Sequence, residues 1–424
     1  MDFVIMGNPW HFAGNNPTSK HHVAEELASL GHRVLWINCA GMRAPKLRSG
    51  GDRQRVIEKI RLAFRGLDRV KENIWVLSPL ILPLPQSRVA RWLNCLIYRF
   101  VAWWGVRRLR LERPVLMSFF LMVPSMLKRW PFTAIYYCVD KWDAFERYDG
   151  GTMSMMNRES CMAADIVLAS SAGILSEVRK YNVNAHLIPH GVKHGHFARA
   201  LAHPGPGTGG LDGVPLLKDL PTGRIAGFFG LIDERVDHEL LLRVARECGN
   251  CHVVVIGKAD SDLSWTRTEP NIHWLGPKPF DELPGYVARF SVGLIPYVLN
   301  DQTDAINPIK LREMLAAGCP VVSTNLPESV AMAGEFRLRC HDERLSAMGM
   351  VVAGNDNEFV NLVKQRLDNL LTTAEKLALS RTMADETWTS RVRDILRLIE
   401  AANHRDSHDG VTLLSRKDHR LGRP

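Results

Sequence analysis

Short apolar runs rich in Val, Ile and Leu alternate along this chain with stretches whose apolar positions recur every three or four residues. The first run, Asp2 to Met6, predicts a strand. A helix from about Thr18 to Leu30, stopped by Gly31, and a strand Arg33 to Ile37 follow. The same alternation predicts strands at Pro114–Ser118, Thr133–Val139, Ile166–Ala169 and Ala185–Ile188, with helices at about Thr152–Ala163 and Ala172–Lys180. It restarts at Arg224–Phe229. Strands are then expected at His252–Ile256, Asn271–Leu275, Ser291–Tyr297 and Val321–Thr324, with helices at Val236–Glu247 and Phe280–Phe290 and one from Pro308 that stops at Gly318. From Glu358 the pattern is helical, and Trp388, Val392, Ile395, Leu396 and Ile399 stripe the last helix. Continuously apolar strands separated by helices predict parallel sheets covered on both faces, an α/β doubly wound architecture. The Gly/Pro-rich stretch Pro204 to Gly210 lies in a segment, 198–222, expected to be irregular. The expected division is therefore a domain 1–197, a linker 198–222, a second domain 223–385, a helix 386–403 and a disordered tail 404–424.

Length agrees with two cores, because 424 residues exceed what one core ordinarily organises. A composition 46% hydrophobic and 23% charged is that of a soluble globular protein. The longest uncharged apolar candidate, Val115 to Leu127, is too short to span a bilayer and contains Pro124. With a strand beginning at Asp2 no signal peptide is expected, and the expected location is the cytoplasm.

The net charge of +9 is concentrated in 43–113, which holds 17 Lys and Arg against 5 Asp and Glu. Within it Val56, Ile57, Ile60, Phe64 and Leu67 keep helical spacing. A second helix, about Ser87 to Glu112, sets Trp92, Leu93, Leu96, Ile97, Phe100, Trp103 and Trp104 beside Arg91, Arg99, Arg107, Arg108 and Arg110. Tryptophan with arginine on an amphipathic helix suits a lipid headgroup region, so peripheral attachment at the inner face of a membrane is one expectation. Packing of the apolar face on a sheet is the other. Nucleic acid is not expected as a partner, since no recognised module surrounds the basic residues. Cys248-Gly249-Asn250-Cys251-His252 matches a haem-attachment string, but it bridges a predicted helix and strand and reads as the turn between them.

The chemistry concentrates in Asn307 to Thr324. The start of its helix offers free N–H groups and the positive end of a dipole, Lys310 adds a charge, and Glu313 shares a face with Asn307 and Lys310. Cation, amides and carboxylate together suit a ligand with phosphates beside a vicinal diol, as in a nucleoside diphosphate. Gly230 ends a strand and Arg235 lies just before a helix, where it can reach an anion. Asp140 follows an apolar strand and can act as a general base, with Asp143 as rival and helix capping as the alternative role. Asp260-Ser261-Asp262 has the spacing of a metal-binding pattern, too short a match to assign a metal.

The string Thr303…Asn307-Pro308-Ile309-Lys310…Glu313…Ala317-Gly318…Pro320-Val321-Val322 resembles the donor-binding helix of GT-B-fold glycosyltransferases. The resemblance covers nearly the whole chain to about residue 400 and is strongest over 224–328. It implies two Rossmann-like domains facing across a cleft, with the last helix crossing back to the first. It implies that Glu313 binds the ribose hydroxyls of a nucleotide-sugar while the loop with Thr303 and Asn307 cradles the diphosphate. Gly230 and Arg235 would contribute to the diphosphate site. His11, Asn15, Asn16, Thr18 and Lys20 would contact donor or acceptor, and His190 would sit near the hinge. A glutamate common eight residues before Glu313 is replaced here by Ala305. The aspartate after the strand, Asp140, resembles the base of inverting members in polysaccharide assembly. The expected activity is transfer of a sugar to a lipid-linked or saccharide acceptor, with no cofactor and no metal. A nucleotide-sugar epimerase of the same fold, or a non-catalytic nucleotide-sugar-binding protein at a membrane surface, is the alternative.

Overall fold

The computed structural model describes residues 1–10, 16–39, 60–82, 84, 87–121, 123–144, 149–202 and 217–408, with side chains to 403. The expected contacts His11 and Asn15, the basic stretch 43–59, most of the expected linker and the tail beyond 408 lie outside the described residues.

The chain divides into two compact units, Met1–Pro189 with the residues from Arg391, and His190–Ser390. The first unit is built on strands β1 (Asp2–Gly7), β2 (Arg33–Asn38), β3 (Asp68–Lys71), β4 (Ile74–Leu77), β5 (Val115–Ser118), β6 (Ala134–Cys138), β7 (Ile166–Ala169) and β8 (Ala185–Leu187). They form one sheet in the order β3-β4-β2-β1-β5-β6-β7-β8. Every pairing is parallel except β3 with β4, a short edge hairpin turned at Asn73 in the left-handed region. The strands β1, β5, β6 and β7 are buried along their whole length, as helix cover on both faces requires.

The second unit carries β9 (Arg224–Phe229), β10 (Cys251–Ile256), β11 (Ile272–Trp274), β12 (Val292–Ile295), β13 (Val321–Ser323) and β14 (Met350–Val352). The sheet order is β11-β10-β9-β12-β13-β14, parallel throughout. In each sheet the chain winds outward one way and then returns to wind the other way. The reversal falls between β1 and β5 in the first sheet and between β9 and β12 in the second. Ligands bind such sheets beyond the carboxyl ends of the strands at that reversal.

Three expectations are corrected. Residues 198–202, expected to open the irregular linker, continue a helix His194–Ala202. The helix expected over Phe280–Phe290 is only Leu283–Ala288, because Pro284 fits the first turn of a helix and the residues before it turn instead. Trp92, Leu93, Leu96, Phe100, Trp103 and Trp104 of Arg88–Leu109 are exposed and do not cover the sheet. The buried residues of this helix are Ala90, Cys95, Tyr98, Ala102 and Gly105. All eight cysteines are free and buried, and Cys248 and Cys251 sit at the turn between a helix and β10.

Candidate functional site

In the second unit the reversal point brings Gly230 and Lys310 together. Gly230 follows β9 with φ +145°, a conformation that side chains rarely adopt. A Cβ there would lie 2.7 Å from Lys310 Cε, so the lysine stem runs across the bare glycine. Lys310 stands in the first turn of the helix Ile309–Ala316, which starts at Pro308 and ends before Gly318 at φ +71°. The N–H groups of Ile309 and Lys310 find no acceptor among the described residues. Two unpaired amides, a helix start and an ammonium group together supply donors and positive charge of the kind that suits an anion.

One turn on, Glu313 is 7% exposed and its carboxylate makes no hydrogen bond among the described residues. Burial pushes its pKa up to about 7, against the smaller opposing pull of Lys310. An almost buried carboxylate without donors is costly unless something supplies them, and two vicinal hydroxyls would.

The other expected residues of this unit are differently engaged. Arg235 is gripped by the buried carboxylate of Asp233, with Nε–Oδ1 at 2.8 Å and Nη2–Oδ2 at 2.6 Å. Thr303 donates its hydroxyl to the carbonyl of Val298 at 2.6 Å and accepts from the N–H of Asn300. Asn307 donates to Glu328 at 2.6 Å and accepts from Arg312 at 2.8 Å. Thr303 and Asn307 thus shape the loop ahead of the helix with their side chains. Arg312 in turn meets Glu386 at 3.2 Å. Lys278 is paired with Asp219 at 2.5 Å and lies over the Tyr286 ring. His190 packs against the ring of Trp388 at 5.8 Å.

In the first unit Lys20 and Asp140 share an environment at the carboxyl ends of β1 and β6. Lys20 is buried, its ammonium 3.3 Å from Asn8 Oδ1 and 5.5 Å from the centre of the Trp142 ring. Burial lowers its pKa, and the charge of Asp140 partly restores it. The Asp140 carboxylate is half-buried and accepts no hydrogen bond among the described residues, so it caps nothing. Asp143 is exposed. Thr18 is engaged by His21, whose Nδ1 lies 3.1 Å from the Thr18 N–H. Burial holds His21 at a pKa of about 4, neutral near pH 7, stacked on Trp36. Asn16 is exposed. Sequence reading missed Trp142, Asp233 and His21. The Lys141-Trp142-Asp143 string beside Asp140 and the Asp233-x-Arg235 spacing were signals available for the first two.

Among the described residues no group of three or more His, Cys, Asp or Glu is placed to hold a metal. Asp260 lies 3.5 Å from Lys258 and Asp262 caps Ser264, so that pair of aspartates is spent locally.

Two parallel Rossmann-like sheets of this order define the GT-B fold, and comparison with solved structures agrees. Sucrose-phosphate synthase from Thermosynechococcus elongatus superposes with TM-score 0.65 at 14% identity, over 94% of this chain and 98% of that one. Anabaena Alr3699/HepE, solved in complex with UDP-glucose, gives 0.61 at 10% identity, over 95% and 100%. Residues 223–369 match the family described as Glycosyl transferases group 1. A protein of Bacillus subtilis (strain 168) provisionally described as the teichuronic acid biosynthesis glycosyltransferase TuaH is 27% identical over 227 residues. That match spans 49% of this chain and 54%, about half, of the relative. The second unit thus carries the likeness to the group 1 glycosyltransferases, over residues 223–369, and the solved structures share the fold.

Proposed function

We propose that the protein moves a sugar from a nucleoside diphosphate-sugar to a hydroxyl of a lipid-linked or membrane-proximal saccharide in polysaccharide biosynthesis. The observation that carries this reading is Glu313, a nearly buried carboxylate without a donor, one turn from Lys310 and the unpaired amides of Ile309 and Lys310. Glu313 receives the ribose hydroxyls. Lys310, the amides and Arg235 offset the charge gathering on the diphosphate, an electrostatic task that needs no metal. Asp140 takes the proton of the acceptor hydroxyl as its oxygen bonds to the anomeric carbon. The bond from that carbon to the diphosphate oxygen breaks, and its electron pair leaves with the nucleoside diphosphate. The Bacillus subtilis relative supports the polysaccharide setting.

The test is incubation of the full chain with a panel of radiolabelled nucleotide-sugars and a membrane lipid extract. Label moved to lipid or saccharide supports the proposal, with Asp140→Asn losing turnover and keeping donor affinity. An altered free donor identifies an epimerase, and binding without chemistry a non-catalytic protein. Near-normal turnover by Asp140→Asn removes it as the base.

A further inference from the structure

The helix Arg88–Leu109 carries its bulk on the side away from the protein. Ala90, Cys95, Ala102 and Gly105 are buried on the inner side, with Tyr98 their one large companion. A Cβ on Gly105 would lie 2.6 Å from Leu35 and 2.9 Å from Leu77, so the backbone itself presses onto β2 and β4. The opposite face shows Val89, Trp92, Leu96, Phe100 and Trp103, exposed by 67, 62, 40, 63 and 52%. Their spacing keeps them on one stripe along the helix. Leu80, Leu82 and Leu84 are exposed as well, and the Leu82 backbone is fixed to the Asn94 side chain by two 2.8 Å hydrogen bonds. A soluble surface seldom leaves so continuous an apolar strip bare.

Charge decides what covers it. The helix carries Arg88, Arg91, Arg99, Arg107 and Arg108 and no acidic residue. The Arg107 guanidinium stacks over the Trp103 ring at 4.8 Å, so the cation stands beside the apolar strip. A second copy docked helix to helix would set arginines against arginines with no carboxylate on either helix to answer them. An anionic bilayer offers phosphates to the arginines, acyl chains to the stripe and a headgroup zone that suits indole rings. No described helix is long and apolar enough to cross a membrane. We propose that Arg88–Leu109 lies in the plane of an anionic lipid surface, with Val89, Trp92, Leu96, Phe100 and Trp103 inserted among the lipids.

The proposal does not rest on sugar transfer, and its test uses no donor. The full chain is sedimented with vesicles of phosphatidylcholine and phosphatidylglycerol, and with phosphatidylcholine alone. Binding is expected to the mixed vesicles, and to weaken in 0.5 M NaCl as charges are screened. Trp92→Ser with Phe100→Ser should lower the partition coefficient at least about tenfold, since two large apolar side chains leave the interface. Arg99→Gln with Arg108→Gln should lower it about tenfold on anionic vesicles only. Circular dichroism confirms that the variants remain folded. In the unaltered protein, quenching of tryptophan emission by brominated lipid should report insertion without any substitution. Absence of vesicle binding, or binding unchanged in Trp92→Ser/Phe100→Ser, overturns the proposal. So does a wild-type dimer in analytical ultracentrifugation that the same double variant dissociates, which would make the face a homodimer contact.

Discussion

The Cε of Lys310 occupies space that a methyl group on Gly230 would need, the two lying 2.7 Å apart if a Cβ is built. The strand end and the helix start are thus fitted to each other atom against atom. Gly230→Ala has two costs, a backbone at φ +145° and displacement of the lysine. It is expected to weaken binding of nucleoside diphosphates at least about tenfold, with the fold retained, since about 1–3 kcal/mol of strain is concentrated at the site. Isothermal titration with UDP, ADP and GDP measures this, and unchanged affinity for all three, where the wild type binds one, would separate the glycine from the anion site.

Glu313 makes stability depend on pH in an unusual direction. Its pKa is raised by burial from the ordinary glutamate value of 4.5 to about 7, so between those values the folded state holds a proton that the unfolded state has lost. Stability therefore falls as pH rises through that window and is fully reduced above it. The shift corresponds to roughly 3 kcal/mol. Glu313→Gln should unfold at higher urea than the wild type at pH 8, with the difference vanishing near pH 4. A curve parallel to the wild type would mean that the carboxyl titrates normally.

The same substitution should act oppositely on binding. A diol donates to the ionised carboxylate better than to the protonated one, so nucleotide affinity should rise with pH through about 7 in the wild type more steeply than in Glu313→Gln. The difference between the two profiles isolates the glutamate from titration of the phosphate itself.

Lys20→Met is expected to raise the melting temperature while removing turnover. Burial opposes the lysine charge, and a methionine of similar shape has none to desolvate, so a gain of about 1 kcal/mol is reasonable. A lower melting temperature together with lost activity would instead indicate a structural lysine.

Asp233→Ala should weaken both fold and diphosphate binding. Its side chain is 1% exposed and holds Arg235, itself 18% exposed, so removal takes away the carboxylate that orients the guanidinium. Since one partner is partly solvated, a loss of about 2 kcal/mol is expected, below the range for fully buried pairs. Urea unfolding and UDP titration together check it.

Legibility in the sequence followed the physics of each feature. Periodicity located the strands, since their apolar runs have to be buried wherever the chain goes. Lys310 and Glu313 were readable because helix spacing fixes which residues share a face. The partner of Asn307 was not, because Glu328 meets it only through the fold. The Arg88–Leu109 helix was ambiguous for a different reason. Periodicity shows that a face is apolar, and only the fold shows that the small residues, not the large ones, were taken inward. His11 and Asn15 fall outside the described residues and stay as expectations.

Burial of every cysteine has a practical consequence. Burial pushes the thiols of Cys39, Cys138 and Cys319 up to about 12, so few thiolates are available to react with a maleimide near neutral pH. A single new thiol on the exposed side of Arg88–Leu109 would label far ahead of Cys39, Cys138 and Cys319. A fluorophore attached there could report immersion depth once Cys248, whose thiol pKa is lowered by its hydrogen bond with Cys251, is replaced.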